Sequence, residues 1–214
     1  YVCAKYTGKE GYYSTYFTKT ILTDICIYRP DIVLILNLHG HWLNIPIFLN
    51  GISKLDTRIK WFMCDEYPYT GRCEYTKGCE GFKNCCLGCD RYQNVDKQYS
   101  DKYEYYSKLL EKTSFSSVPY IVDRAKTSSL LKNANFEYIN TGIDTDFYRP
   151  SEAVYFKKKY KIAEDKVILL NVAPFSNQRK GVHMFIDAAK LLQRHSQRAP
   201  LANIVFYLIE SSAQ

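Results

Sequence analysis

Two short apolar runs constrain this chain more than any other feature. Ile32, Val33, Leu34, Ile35 and Leu36 follow directly on Arg29-Pro30, and Val167, Ile168, Leu169, Leu170, Asn171, Val172 and Ala173 form a second run. Both are β-branched and strand-sized, and neither alternates apolar with polar residues. That pattern suits a strand covered on both faces, the usual state of a strand in a parallel sheet. Helical patterns flank each run. Phe17, Ile21, Ile25 and Tyr28 recur at helical spacing, and Pro30 closes that segment. Gly181 opens a stronger amphipathic pattern with Val182, Phe185, Ile186, Ala189 and Leu192 on one face. Strand–helix alternation on this scale predicts an α/β fold with parallel sheets, residues 31–36 and 167–173 each forming a central strand.

The remaining segments fill in that frame. A short helix is expected from Leu43, with Pro46 near its start, and a buried strand over residues 58–64. Residues 67–99 hold little periodicity and five of the eight cysteines, and read as an irregular loop that needs something to hold it. Beyond it the patterns predict a helix over 100–113, strands over 119–122 and 136–139, and a short helix over 128–133. Residues 141–150, with Gly142 and a closing Pro150, read as a turn-rich linker. After it come a helix over 152–160 and a last strand over 203–209. The expected division is one Rossmann-like domain over residues 1–145 and the start of a second over 146–214.

Composition excludes several classes. Of 214 residues, 46% are hydrophobic and 24% charged, which is globular and neither collagen-like, mucin-like nor largely disordered. No apolar run approaches the ~18–20 residues of a membrane span, and no signal-peptide pattern is visible at the start. The net charge of +7 is uneven: ten basic residues face five acidic ones after Pro150. That bias suits an anionic partner such as a phosphate-bearing ligand, an anionic membrane face or nucleic acid. For the lysines at 157–161 the plainer reading is a solvated helix.

Two stretches carry a resemblance. The first runs from Arg29, Pro30 and Asp31 through His39, Gly40, His41, Trp42 and Pro46 to Cys64, Asp65, Glu66, Tyr67, Pro68, Thr70, Gly71 and Cys73. Cys79, Phe82, Cys86 and Cys89 lie behind it. The second runs from Thr141, Gly142, Ile143, Asp144, Phe147 and Pro150 to residues 167–173 and Arg179, Lys180, Gly181. In order and spacing they resemble family 4 glycosyltransferases of the exopolysaccharide and colanic-acid-type branch, over most of the chain and most weakly across residues 90–118. The resemblance implies a GT-B architecture of two Rossmann-like domains with a cleft between them, both incomplete here. The first strand with its Gly-rich turn and the donor-contacting Glu-x7-Glu segment are the expected missing parts, so no turnover is expected of this chain alone. It further implies a hexosyl or related glycosyl transfer from a nucleotide-sugar donor to a polysaccharide or lipid-linked acceptor, with retention and without a catalytic metal. The implied setting is cytoplasmic, peripheral to the inner face of an anionic membrane.

Residue by residue, the resemblance gives Lys180 to the donor pyrophosphate. Arg179 and Gly181 complete a loop that leads into a helix N-terminus, where free N–H groups and positive potential suit phosphate. Relatives carry a further Arg where this chain has Pro174. His39 and Gly40 fall on the acceptor side, and Thr70 and Gly71 are expected to shape a tight turn beside the cleft. Cys64 stands where the family carries a His near the reacting sugar, and a thiol is not an equivalent proton acceptor. Asp65 is retained. Asp65 and Glu66 can also be read as a carboxylate pair for acid/base work, the lesser reading, because neighbouring residues on a strand face opposite ways.

Cys73, Cys79, Cys86 and Cys89 present a metal-like spacing, and four thiolates suit a structural zinc. Disulfides and reduced packing thiols are the alternatives, disulfides being disfavoured in a reducing compartment. A zinc-ribbon module binding nucleic acid is a competing function. Glu74, Glu80 and Asp90 interspersed among Arg72, Lys77, Lys83 and Arg91 argue against it, since such a module clusters its cations. A non-catalytic relative is the other alternative, raised by Cys64.

Overall fold

The computed structural model describes Thr7 and residues 9–150, 154–172, 177–195 and 204–209. The chain divides into two compact units, Tyr1–Ile143 and Asp144–Gln214.

In the first unit the helix α1 (Thr15–Tyr28) stops where Arg29 turns left-handed, at φ 47°, and Pro30 cannot continue it. Strand β1 (Ile32–Ile35) follows. Helix α2 (Ile45–Ser53) starts at Asn44, whose side chain accepts the Ile47 N–H, with Pro46 in its first turn. Strand β2 (Arg58–Phe62), helix α3 (Val95–Ser107), strand β3 (Thr113–Ser117), helix α4 (Pro119–Lys126) and strand β4 (Asn135–Tyr138) complete the unit. The four strands pair in parallel in the order β1-β2-β3-β4. The fold is therefore α/β with a parallel sheet, as the apolar runs imply.

Register places Ile35, Trp61, Phe115 and Phe136 in one row on one face. The core lies under that row: Trp61 stacks on Phe115 at 5.4 Å and meets the edge of Tyr106 from α3 at 5.6 Å. Phe48 and Leu49 of α2 join the same cluster. The opposite row, Leu34, Lys60, Ser114 and Asn135, is more open, and Lys60 and Ser114 both bond Glu137.

Several expectations are corrected. Among the described residues strand β1 is at the edge of the sheet rather than central, and it is not covered on both faces: Ile35 is 4% exposed, Leu34 63%. The strand expected at 119–122 is helix α4, because Pro119 fits the first helical turn and Val118 holds the extended conformation before it. The true strand, β3, reads Thr-Ser-Phe-Ser-Ser and hides behind its polar residues. Helix α3 begins at Val95, earlier than expected, and residues 128–133 form turns rather than a helix.

The second unit contains α5 (Val154–Lys159), β5 (Val167–Val172), α6 (Val182–His195) and β6 (Ile204–Ile209). Strands β5 and β6 pair in parallel across the α6 crossover, a βαβ unit. Val182 is its buried anchor on α6. Among the described residues no helix is long and apolar enough to cross a membrane.

Candidate functional site

The carboxyl ends of β1 and β2 bring His39 and Asp65 together. Open parallel sheets bind ligands at this end, because the loops there are free to carry polar groups. Asn37 turns the chain after β1 by accepting the His39 N–H at 2.9 Å. Gly40 and His41 follow with positive φ, 98° and 67°. The turn presents the imidazole to the β2 end, where Nε2 lies 2.6 Å from Asp65 Oδ2. Asp65 Oδ1 accepts the Tyr67 N–H at 2.9 Å, which fixes the carboxylate. The Tyr67 ring sits against the imidazole at 5.2 Å.

A second carboxylate reaches the other ring nitrogen, with Glu74 Oε1 3.1 Å from Nδ1. A third, Glu10, accepts the Gly40 N–H at 2.9 Å and lies 3.6 Å from Arg72 Nε. Burial disfavours a charged His39. The hydrogen bond and charge of Asp65, joined by Glu74 and Glu10, outweigh it and raise the imidazole's pKa above its ordinary value. A carboxylate at each ring nitrogen favours the doubly protonated ring, and Asn37 Nδ2 also lies 3.0 Å from Nε2.

Cys64 stands exposed beside this pair, its sulfur 3.8 Å from the Phe62 carbonyl. Burial and the neighbouring Asp65 charge push its thiol up, so it stays protonated at neutral pH. A protonated thiol is no base.

Thr70 and Gly71 belong to the interior instead of lining this site. Thr70 is 1% exposed and its hydroxyl donates to the Cys73 carbonyl at 2.7 Å. Gly71 is buried where a Cβ would come within 2.5 Å of Val95. The glycine is required by close packing against α3.

Cys73, Cys79, Cys86 and Cys89 share one neighbourhood, with Cys86, Cys89 and Cys79 all acting on the Cys73 thiol. Among the described residues the group of three or more ligating side chains whose ligand atoms all lie within 4.8 Å of one another is Glu10, His39 and Glu74. The described cysteines are thiols with no disulfide among them. Burial, then the neighbouring Cys86, Cys89 and Cys79, pushes Cys73 up to about 11. Buried polar side chains also anchor residues 67–99. Glu66 is buried and accepts from Arg124 Nε at 3.0 Å, Tyr69 Oη at 2.6 Å and the Thr76 N–H at 2.5 Å. Arg124 also donates to Glu80 and Thr76. From α3, the fully buried Lys102 donates to the carbonyls of Tyr67 and Thr70 at 2.8 and 3.0 Å. Burial without a paired carboxylate lowers its pKa to about 7.

Sequence reasoning missed Glu10, Glu74, Lys102 and the Glu66–Arg124 pair. Lys102 left a signal: it shares the buried stripe of α3 with Tyr99 and Tyr106, where a polar residue must find partners. Glu10 left none, because only the fold brings it to His39.

In the second unit Asn177 accepts the Arg179 N–H at 3.2 Å and Gly181 turns left-handed at φ 72°. Gly181 then gives its carbonyl to the Phe185 N–H at 3.0 Å, starting α6. Arg179 and Lys180 are exposed at that start. Pro174 lies outside the described residues.

No protein-family model matches the chain. One stretch of 62 residues, 27% of the chain, is 36% identical to WcaC of Escherichia coli (strain K12), to which a colanic acid biosynthesis glycosyl transferase role is assigned. The match spans 15% of that relative's length. The chain is thus related in part to a glycosyltransferase.

Proposed function

We propose that this chain is part of a GT-B glycosyltransferase of family 4 type. It would move a sugar from a nucleotide-sugar donor to a glycan or lipid-linked acceptor with retention. The observation that carries the reading is the partial likeness to WcaC. Two local geometries support it. On the first unit, His39 and Asp65 form a hydrogen-bonded pair at the carboxyl end of a parallel sheet, suited to gripping and orienting a sugar hydroxyl. On the second unit, Arg179, Lys180 and Gly181 meet the N-terminus of α6, suited to a diphosphate. Each site takes one substrate, the acceptor on the first unit and the donor on the second.

Calorimetric titration with UDP and GDP tests the donor assignment. The chain should bind a nucleoside diphosphate, and Lys180→Ala should weaken binding by about 1.5–3 kcal/mol, the scale of a charge-assisted hydrogen bond. Equal affinities for wild type and variant would remove Lys180 from the donor site.

A further inference from the structure

We propose that Glu10, His39 and Glu74 form a binding site for a divalent first-row transition-metal ion, with Asp65 orienting the imidazole. The three ligand atoms already lie within 4.8 Å of one another. Ligands about 2.1 Å from one ion stand about 3–4 Å apart, so only small side-chain adjustments separate this arrangement from a coordination shell. The ligands come from three separate segments: the approach to α1, the end of β1 and the loop beyond β2.

Two features distinguish the group from a chance meeting of surface carboxylates. The first is preorganisation. Glu10 and His39 have side chains only 11% and 14% exposed, and Glu10 is held by the Gly40 N–H and by Arg72. Asp65 Oδ2 lies 2.6 Å from Nε2; with the Nε2 hydrogen directed to it, Nδ1, 3.1 Å from Glu74, is the ligating nitrogen. A carboxylate on the far nitrogen is the arrangement that orients metal-bound imidazoles. The second is charge. Three carboxylates converge on one ring, and the Glu10 and Glu74 oxygens lie within 4.8 Å of each other. A proton on Nδ1 offsets one negative charge there, whereas a divalent ion in its place offsets two. Glu74, 56% exposed, leaves one side open to water.

One imidazole nitrogen with two carboxylates selects the class of ion. Manganese, iron, cobalt and zinc accept that donor set, whereas magnesium and calcium favour oxygen alone. The site shares His39 and Asp65 with the acceptor reading, rests on none of the donor assignment, and assigns the ion no part in sugar transfer.

The test uses Mn²⁺, which competes poorly for the chain's many thiols. Chelator-treated protein is titrated with Mn²⁺ while the electron paramagnetic resonance signal of the free ion is followed. One ion should bind per chain and remain bound in excess Mg²⁺. Glu74→Gln, at an exposed position the fold tolerates, should weaken binding about tenfold or more, and His39→Ala should abolish it. Absence of Mn²⁺ binding, unchanged affinity in Glu74→Gln, or full displacement by Mg²⁺ would each overturn the assignment. UDP binding is read separately at the second unit, so failure of one proposal leaves the other standing.

Discussion

Asp65 and Glu66 are adjacent in sequence yet belong to two regions of opposite character. Asp65 faces the end of the sheet, where its side chain keeps 25% exposure and meets His39. Glu66 faces inward, 3% exposed, and meets Arg124, Tyr69 and Thr76. The region around Asp65 carries an excess of negative charge and an open side. The region around Glu66 has its charge matched and its carboxylate oxygens hydrogen-bonded. The chain bends at Asp65 and Glu66, beyond the end of β2, and turns the two side chains to different surroundings, so one dipeptide serves a candidate binding site and the anchoring of the irregular loop.

The comparison breaks most easily at the buried side. Arg124→Ala should cost about 3–5 kcal/mol in urea unfolding, because it strands the Glu66 carboxylate in the interior. A loss under about 1 kcal/mol would mean that the loop rests on its aromatic contacts instead: Tyr69 against Phe82, and Tyr99 and Tyr106 in the core.

Lys102 sharpens the picture from below the loop. Lys102→Met leaves the Tyr67 and Thr70 carbonyls without their donor and should cost about 1–3 kcal/mol at pH 9. The pH dependence has a definite sign. The folded-state pKa is lowered from 10.5 to about 7, so between those values the unfolded chain holds a proton that the folded one has shed. The Lys102 contribution to stability therefore rises with pH across that window and falls as pH drops through about 7. The difference between wild type and Lys102→Met, measured by denaturation at several pH values, isolates it from the cysteines and tyrosines. A flat difference would deny the lowered pKa of the buried amine.

The smallest effect belongs to the open side. Asp65→Asn in chelator-treated protein should cost about 1 kcal/mol or less, since the His39–Asp65 pair is partly solvated. A loss as large as that of Arg124→Ala would erase the contrast and make the strand-end pair structural.

The sequence alone determined the local elements whose cause is local. The runs beginning at Ile32 and Val167 formed strands because β-branched apolar residues fit a pleated, covered surface, and Pro30, Pro46 and Gly181 marked helix ends through their own backbone preferences. His39 and Asp65 could be picked out because they follow such strands. Local pattern misled at β3, whose Ser and Thr residues gave no apolar signal, and at Pro119, which starts a helix. It also overstated the burial of β1: the run promised two covered faces, and coverage depends on what packs there. Only the tertiary structure decided that Glu10 and Glu74 join His39 and that Glu66 finds Arg124 across 58 residues. Those outcomes depend on contacts between distant segments, which a residue's neighbours along the chain do not encode.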